Sequence, residues 1–159
     1  MKLNLRKTSV TNLLKLYSEI LKELRQRTVV RSSNNPAGDY TEWLVSEKLN
    51  LIRNGNSTAG FDATDKKGRR YQIKGRRLTL ENSSTELSAI RNLKKKPFDF
   101  LVAVVYEPDF RVDYAAKVPF EVVRKHAKYS MHVNGWRFLM VRSILKKPGV
   151  VDVTKRLRA

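Results

Sequence analysis

The sequence predicts an α/β protein in which helices flank a mixed β-sheet. Two helical segments come first, two short strands around a tight turn follow, and a buried apolar strand with a neighbour comes next. At 159 residues, the chain is long enough for one domain with a core of its own. We expect a single domain with three parts: an N-terminal helical extension (1–31), a core (38–145) and a basic tail (146–159).

The helices are predicted from apolar spacing and the strands from apolar runs. The first helix covers 9–27, with Thr8 or Ser9 as its N-cap and one apolar stripe of Leu13, Tyr17, Ile20, Leu21 and Leu24. A turn-rich loop (31–39) leads to a second helix over about 39–52. Strands are expected over about 60–64, 69–75, 99–107, 111–119 and 135–141, with a short helix over 119–128.

The formal net charge of +18 indicates a polyanionic partner. Nucleic acid is favoured over a membrane surface, because no basic helix with a bulky apolar face dominates the sequence. The cations concentrate in two runs, 66–77 and 91–96, although charge runs are also common on ordinary solvated surfaces. The residues expected to contact phosphates are Lys66, Lys67, Arg69, Arg70, Arg76, Arg77, Arg91, Lys94, Lys95 and Lys96.

The sequence also indicates a cellular setting. It contains no cysteine, which excludes disulfides and thiolate zinc sites. The N-terminus lacks the pattern of a secretory signal, and the longest apolar run, 100–106, is too short to cross a bilayer. We therefore expect a soluble protein of the cytoplasm.

The segment "TDKKGRR" predicts a hairpin with a three-residue loop. A type I turn over the two lysines would be followed by Gly68 in the left-handed conformation. Asp65 would then pair with Arg69, and Asp62 would lie directly opposite Gln72. Because side chains alternate along a strand, Lys74 would share their face, and Tyr71 and Ile73 would point to the other face.

This arrangement predicts a magnesium site. Mg²⁺ prefers hard oxygen ligands and keeps several waters. Asp62, the side-chain oxygen of Gln72 and the backbone carbonyl of Ile73 would supply part of its shell. Such an ion would activate water for attack on a phosphodiester, and Lys74 would hold that water and offset charge on the phosphate. Alternatively, Asp62 pairs with a nearby arginine in a solvated hairpin; spacing alone does not distinguish the two.

A third acid would come from the second helix, which carries Glu42 and Glu47. The apolar positions of this helix indicate that it is largely buried, and a carboxylate on a buried helix needs a partner or a metal. The apolar pattern by itself does not choose between the two glutamates.

Together these residues resemble the PD-(D/E)XK nucleases, which include many restriction endonucleases and Holliday-junction resolvases. The resemblance covers roughly 38–106, and "GFDATD…YQIKGRR" is further similar to a bacterial subset of small restriction-like proteins. In "GDYTE" a glycine precedes Glu42 by four, as in the helix motif of the family, which favours Glu42 over Glu47. Gln72 stands where the family usually has an acid, as in its methylation-dependent restriction branch.

The resemblance implies a restriction-endonuclease-like fold with an αβββαβ core. It implies a DNA endonuclease that depends on Mg²⁺, with Mn²⁺ as an alternative, and it allows a homodimer. The implied metal ligands are Glu42, Asp62, Gln72 and Ile73, and the implied catalytic residues are Glu42, Asp62, Gln72 and Lys74. Two other functions remain open: a non-catalytic DNA- or RNA-binding protein with the same fold, and a basic structural or ribosome-associated protein that binds RNA.

Overall fold

The computed structural model describes residues 4–55 and 60–159 and shows a mixed α/β protein. The α-helices are α1 (Val10–Gln26), α2 (Ala37–Leu49), α3 (Phe120–His126) and α4 (Thr154–Arg158). The strands are β1 (Ile52–Arg53), β2 (Ala63–Thr64), β3 (Arg70–Arg77), β4 (Phe100–Tyr106), β5 (Val112–Pro119), β6 (Lys128–Ser130), β7 (Gly135–Arg137) and β8 (Val151–Asp152). Residues 1–3 of the predicted N-terminal extension and 56–59 of the predicted break after the second helix lie outside the described residues.

The chain divides into two compact units, Met1–Tyr40 and Thr41–Ala159. In the first unit, Ser9 caps α1 by accepting a hydrogen bond from the Asn12 N–H at 3.3 Å, which confirms Ser9 as the N-cap. The loop before α2 is held by Asp39, whose Oδ2 accepts from the N–H groups of Arg31 and Ser32 at 2.8 and 2.9 Å. The predicted helix and loop of this unit are therefore confirmed.

The second unit contains a six-stranded mixed sheet in the order β1-β2-β3-β4-β5-β8. β3 and β4 run parallel, and every other neighbouring pair in this sheet is antiparallel. β6 and β7 form a separate two-stranded sheet. The structure confirms the predicted hairpin and the predicted proximity of the strands now assigned as β4 and β5, which pair antiparallel.

Several features differ from the sequence-based expectations. The second helix, predicted to reach residue 52, ends at Leu49, and Ile52 begins strand β1 because it pairs with Thr64. The strand predicted over 135–141 ends at Arg137, and beyond it Leu139 forms only an isolated bridge with Glu86. The tail, for which the sequence predicted no form, contributes β8 to the edge of the main sheet. The segment between β3 and β4 carries a 3₁₀ turn, Leu93–Lys95, where the αβββαβ order implied an α-helix. Among the described residues, no helix has the length and apolar character needed to cross a membrane.

The segment between β3 and β4 covers one face of the sheet. Its apolar side chains pack with the side chains of β4 that point to that face and with residues of β5 and α3. The members from this segment and β4 are all buried: Leu87, Ile90, Leu93, Phe98, Leu101, Ala103 and Val105. This packing leaves β3 at the border of the core, where polar side chains can line a site.

α2 packs on the opposite face of the sheet, and Gly75 sets how closely it approaches. A Cβ atom at Gly75 would overlap Thr41 Oγ1 and would lie 3.0 Å from Thr41 Cβ. Thr41 is buried, and its Oγ1 accepts a hydrogen bond from the hydroxyl of buried Tyr106 at 3.1 Å. A glycine in this strand is therefore required by the close approach of the helix.

We expect Gly75→Ala to destabilise the second unit by about 1–3 kcal/mol, because the new methyl group must displace the buried Thr41. Urea denaturation of the purified variant would measure the change in the free energy of unfolding. Gly38→Ala is the matched control, since a Cβ at Gly38 meets no atom within 4 Å. Equal stability of the two variants would show that α2 does not rest on Gly75.

Candidate functional site

The turn between β2 and β3 has the predicted geometry. The N–H of Gly68 donates to the Asp65 carbonyl at 2.9 Å, and the N–H of Asp65 donates to the Arg69 carbonyl at 3.1 Å. Gly68 has φ +75°, the left-handed conformation that this loop requires. Slight desolvation acts to raise the pKa of Asp65, but hydrogen bonds from Arg69 and from the turn backbone lower it to about 2. Asp65 therefore fixes the turn.

The register of the hairpin is also the predicted one. β2 and β3 pair Ala63 with Tyr71, and the N–H of Asp62 donates to the Tyr71 carbonyl at 2.8 Å. Asp62 thus lies directly after the last β2 pair, and its N–H points to β3. The hydrogen bond from the Gln72 amide to the Asp62 carboxylate shows that the two side chains meet, as the turn chemistry indicated.

Asp62 is held by two hydrogen bonds from β3. Its Oδ2 accepts from Gln72 Nε2 and from the backbone N–H of Ile73, each at 2.6 Å. Both distances are short for N–H···O hydrogen bonds. The Asp62 carboxylate therefore accepts the Ile73 N–H, which would bond a backbone carbonyl if β2 continued, and so binds the edge of β3.

The backbone carbonyl of Ile73 points to the same edge. In an extended strand, the N–H and C=O groups of one residue point to the same neighbouring strand. The Ile73 N–H bonds the carboxylate of Asp62, so its carbonyl oxygen is directed to the side of Asp62 as well. The structure brings the three oxygen-bearing groups predicted on the hairpin to one edge of β3.

The amide orientation of Gln72 bears on its predicted role as a metal ligand. Its nitrogen donates to Asp62, so a cation shared with that oxygen would require the amide to rotate and present its oxygen instead. In the observed orientation, the amide provides the hydrogen bond that a second carboxylate could not provide. Asp62 is thereby held in position without a cation.

Lys74 follows on the same face of β3 and is half-buried. Burial lowers the pKa of the Lys74 ammonium; the negative charges of Asp62 and Glu42 oppose this shift, and the charge of Arg91 adds to it. Charged groups from the hairpin, from α2 and from the 91–96 run therefore all act on the Lys74 ammonium. Lowered lysine pKa values in a polar cleft are a common property of functional sites.

The structure distinguishes the two glutamates of α2. Glu42 is half-buried, and its charge acts on Lys74, whereas Glu47 is exposed on the helix surface. Glu42 follows Thr41, the residue that rests on Gly75, so the close contact between α2 and β3 also places Glu42. The apolar pattern had left this choice open because the contact joins residues far apart in sequence.

The donor set suits a hard divalent cation. Glu42 and Asp62 offer carboxylate oxygens, Ile73 offers a carbonyl, and Gln72 offers an amide oxygen after rotation. No group of three or more aspartate, glutamate or histidine residues forms a metal site within 4–55 and 60–159. Two carboxylates fit Mg²⁺, which usually keeps several waters and needs only one or two acidic ligands.

The arginines predicted to contact phosphates have intramolecular partners. Arg69 pairs with Asp65 at 2.6 Å, and Arg70 pairs with Asp99 at 3.3 Å. The others bond carbonyl groups or stack on a ring: Arg76 Nε with the Ser84 carbonyl (2.8 Å), Arg91 with the Asn134 carbonyl (2.5 Å), and Arg77 over Phe110 (4.7 Å). These contacts orient the guanidinium groups and use only part of the hydrogen-bonding capacity of each.

The lysines of the two runs are more open. Lys66, Lys67, Lys94 and Lys95 are exposed, and Lys96 lies over the Phe120 ring at 5.5 Å from the centroid. Lys96 is exposed too, and in the described part of the chain none of these five lysine side chains forms an ion pair with a carboxylate. They are the cations of the predicted set that are most available to a polyanion.

A groove of about 420 Å³ borders β3 at Gly75 and Arg76. Arg76 and Arg137 line it, and Glu86 holds Arg137 through two hydrogen bonds of 2.8 and 2.5 Å. The sequence prediction did not include Arg137 or Thr41. The glycine inside the pattern of β3 was an available signal for the close helix contact, whereas nothing near Arg137 in sequence indicated the groove.

Comparison of the chain with protein-family models and with curated protein sequences finds no match.

Proposed function

We propose that this protein is a metal-dependent DNA endonuclease of the PD-(D/E)XK type. The observation that carries the proposal is the arrangement around β3: Asp62 is bound to Gln72 and Ile73, and Lys74 follows on the same face. Glu42 supplies a second carboxylate whose charge acts on Lys74. An acid on a helix, an acid at a hairpin and a lysine two residues beyond its partner form a set that can support metal-assisted phosphodiester hydrolysis.

The topology supports a restriction-endonuclease-like fold. α2 contacts β3 through Thr41 and Gly75, and β1, β2 and β3 form an antiparallel meander. The chain then crosses to β4, which pairs with β3 in parallel. The 3₁₀ turn in the crossover is a departure from the expected order of elements. The departure lies away from Asp62 and Lys74 in sequence, and the hairpin that carries them keeps its register.

Each residue has a distinct task in the proposed reaction. Glu42 and Asp62 bind the cation, which supplies Lewis-acid activation when present. The Lys74 ammonium donates hydrogen bonds to the attacking water and to a non-bridging phosphate oxygen, where negative charge develops. Water attacks phosphorus and releases a proton to the solvent, the bond to one ester oxygen breaks, and that oxygen takes up a proton from the solvent. Exposed lysines position the DNA through its phosphates without reading sequence.

Supercoiled plasmid provides the direct test. Purified protein incubated with plasmid and Mg²⁺ or Mn²⁺ should convert it to nicked or linear forms, and EDTA should prevent the conversion. A cation-independent activity would indicate a contaminating enzyme or another mechanism. Absence of cleavage with either metal, on methylated and unmethylated plasmid alike, would contradict the proposal.

A second candidate function is nucleic-acid binding without catalysis. The amide of Gln72 favours this second function for two reasons. It leaves the site with only two carboxylates, and its nitrogen already donates a hydrogen bond to Asp62 Oδ2. DNA binding that is unaffected by Mg²⁺, together with an inert plasmid, would support this function. If RNA at equal concentration competes with DNA for the protein, the RNA-binding alternative is supported as well.

We expect Glu42→Gln to lower the single-turnover cleavage rate by about a hundredfold or more, because a ligand charge next to Lys74 is lost. Glu47→Gln should leave the rate unchanged, since Glu47 is exposed. The two substitutions remove the same charge from the same helix, so a difference in cleavage rate between them reflects the position of the glutamate. Loss of cleavage in Glu47→Gln alone would indicate that Glu47, and not Glu42, is the metal ligand on the helix.

Exchange of Lys94 and Lys95 for glutamine should weaken DNA binding and reduce its salt dependence. Each phosphate contact contributes about 0.9 to the slope of log affinity against log salt on duplex DNA, so the slope should fall by about 1.8. Fluorescence anisotropy across a salt series would measure it. Lys15→Gln with Lys22→Gln, two exposed lysines of α1, is the charge-matched control. An equal change in the control would indicate general charge attraction.

A further inference from the structure

A second basic cleft lies on the sheet face opposite Gln72 and Lys74. It has a volume of about 530 Å³ and is lined by the C-terminal end of α2, the hairpin turn, Lys117 of β5 and the C-terminal segment. Tyr71 pairs with Phe100, and Phe100 pairs with Pro119, so strand alternation places Lys117 on the face of Tyr71. We call this region the rear cleft.

The charges that line the rear cleft are unbalanced. Its cations are Lys66, Lys67, Arg69, Lys117 and Arg156, and its carboxylates are Asp65 and Asp152. Asp65 is occupied by Arg69 at 2.6 Å and by the hydroxyl of Tyr71 at 3.1 Å. Asp152 accepts from the Thr154 N–H at 2.9 Å. The remaining four cations have no carboxylate partner among the described residues.

Lys117 shows the imbalance most clearly. It is half-buried on a central strand, and its ammonium lies 4.9 Å from the centroid of the Phe100 ring. The guanidinium of Arg69 lies 5.7 Å from the centroid of the same ring. A ring contact offsets only part of the cost of burying a charge. An anion in the cleft would give this ammonium a partner of opposite charge.

We propose that the rear cleft binds a phosphate group through Lys117, Arg156 and the lysines of the hairpin turn. Phosphate oxygens accept charge-assisted hydrogen bonds from ammonium and guanidinium groups, and arginine suits them well. Arg156 already donates one bond to the Lys48 carbonyl at 3.1 Å, which orients its guanidinium at the cleft. Two sources share this chemistry: the backbone of a nucleic acid that passes around the turn, and a free phosphate-bearing molecule such as a nucleotide. The first source rests on the proposed function, and the second does not.

Binding measurements in EDTA test the site without any contribution from catalysis. The probes are inorganic pyrophosphate, measured by isothermal titration calorimetry, and a fluorescent DNA duplex, measured by anisotropy. We expect Lys117→Met to lower the affinity for at least one probe by about tenfold, because a charge-assisted contact is lost. Arg156→Gln, a change at an exposed side chain, should weaken the same probe. Lys125→Met, an exposed lysine of α3, is the control and should bind both probes normally.

The pattern of losses identifies the source of the phosphate. Weaker duplex binding with no pyrophosphate binding by the native protein assigns the cleft to a nucleic-acid backbone. Pyrophosphate binding that Lys117→Met reduces assigns it to a small phosphate-bearing ligand. If Lys117→Met and Arg156→Gln both behave like Lys125→Met, the proposal is wrong. Asp62→Asn separates this result from the proposed function: it should retain binding at the rear cleft whether or not it has lost plasmid cleavage.

Discussion

Replacement of Asp62 by asparagine is expected to abolish metal-dependent plasmid cleavage, with a fall in rate of at least about a hundredfold. Asparagine keeps an oxygen that can accept from the Ile73 N–H, so the hairpin should remain folded. It removes the charge that would bind a cation. Single-turnover cleavage with Mg²⁺ measures the effect, and calorimetry with Mn²⁺ measures the loss of metal affinity.

Asp65→Asn is the matched control for this prediction. Asp65 belongs to the same hairpin, but its carboxylate pairs with Arg69 at 2.6 Å and bonds the turn. The variant should lose some stability and keep its cleavage rate per folded molecule. If Asp62→Asn cleaves as fast as the native protein, or if Asp65→Asn loses cleavage equally, Asp62 does not have the proposed role.

Lys74→Met is expected to stop turnover and at the same time stabilise the fold. The ammonium of Lys74 would act on the reacting phosphate, and loss of such a group lowers the rate by about a hundredfold or more. DNA affinity should change little, because many other cations remain. Thermal denaturation at neutral pH should show a higher midpoint, since burial disfavours the charged lysine. A variant that loses DNA affinity in proportion to rate would make Lys74 an ordinary phosphate contact.

The pH dependence follows from the direction of the same shift. The folded protein lowers the pKa of Lys74 below the ordinary value of 10.5, so the unfolded chain holds the proton more tightly. The stability contribution of Lys74 is therefore greatest above pH 10.5 and is lost as the pH falls through the lowered pKa. Lys74→Met should remove this part of the pH dependence. Cleavage that needs the ammonium should decline with rising pH before an ordinary lysine would titrate.

The hairpin and its register could be predicted from sequence because they depend on local chemistry. Gly68 permits the left-handed residue of the loop, Asp65 bonds the turn, and alternation then fixes the face of every side chain of β3. The order of the main helices and strands follows from similar short-range patterns. The meeting of the Asp62 and Gln72 side chains therefore follows from one short hairpin segment.

Other features depend on contacts between distant parts of the chain. β8 has two residues, and its assignment to a strand comes from pairing with Ala116 and Lys117. The apolar alternation after Gly135 reports burial of Phe138 and Met140, and burial alone does not imply a strand partner. The position of Glu42 depends on the close contact between Thr41 and Gly75. The apolar pattern of the helix could not predict this contact, because the two residues are far apart in sequence.

In the proposed enzyme, the hydrogen bond from Gln72 to Asp62 would couple two binding equilibria. A cation that shares Oδ2 of Asp62 would have to displace an N–H donor, and it would find one negative charge fewer than a third acid would provide. A phosphate oxygen of bound DNA would bring that missing charge to the site. DNA would then raise the affinity for the cation, and the cation would raise the affinity for DNA by the same factor. The free protein would hold little metal, and the two ligands would assemble the reactive state together.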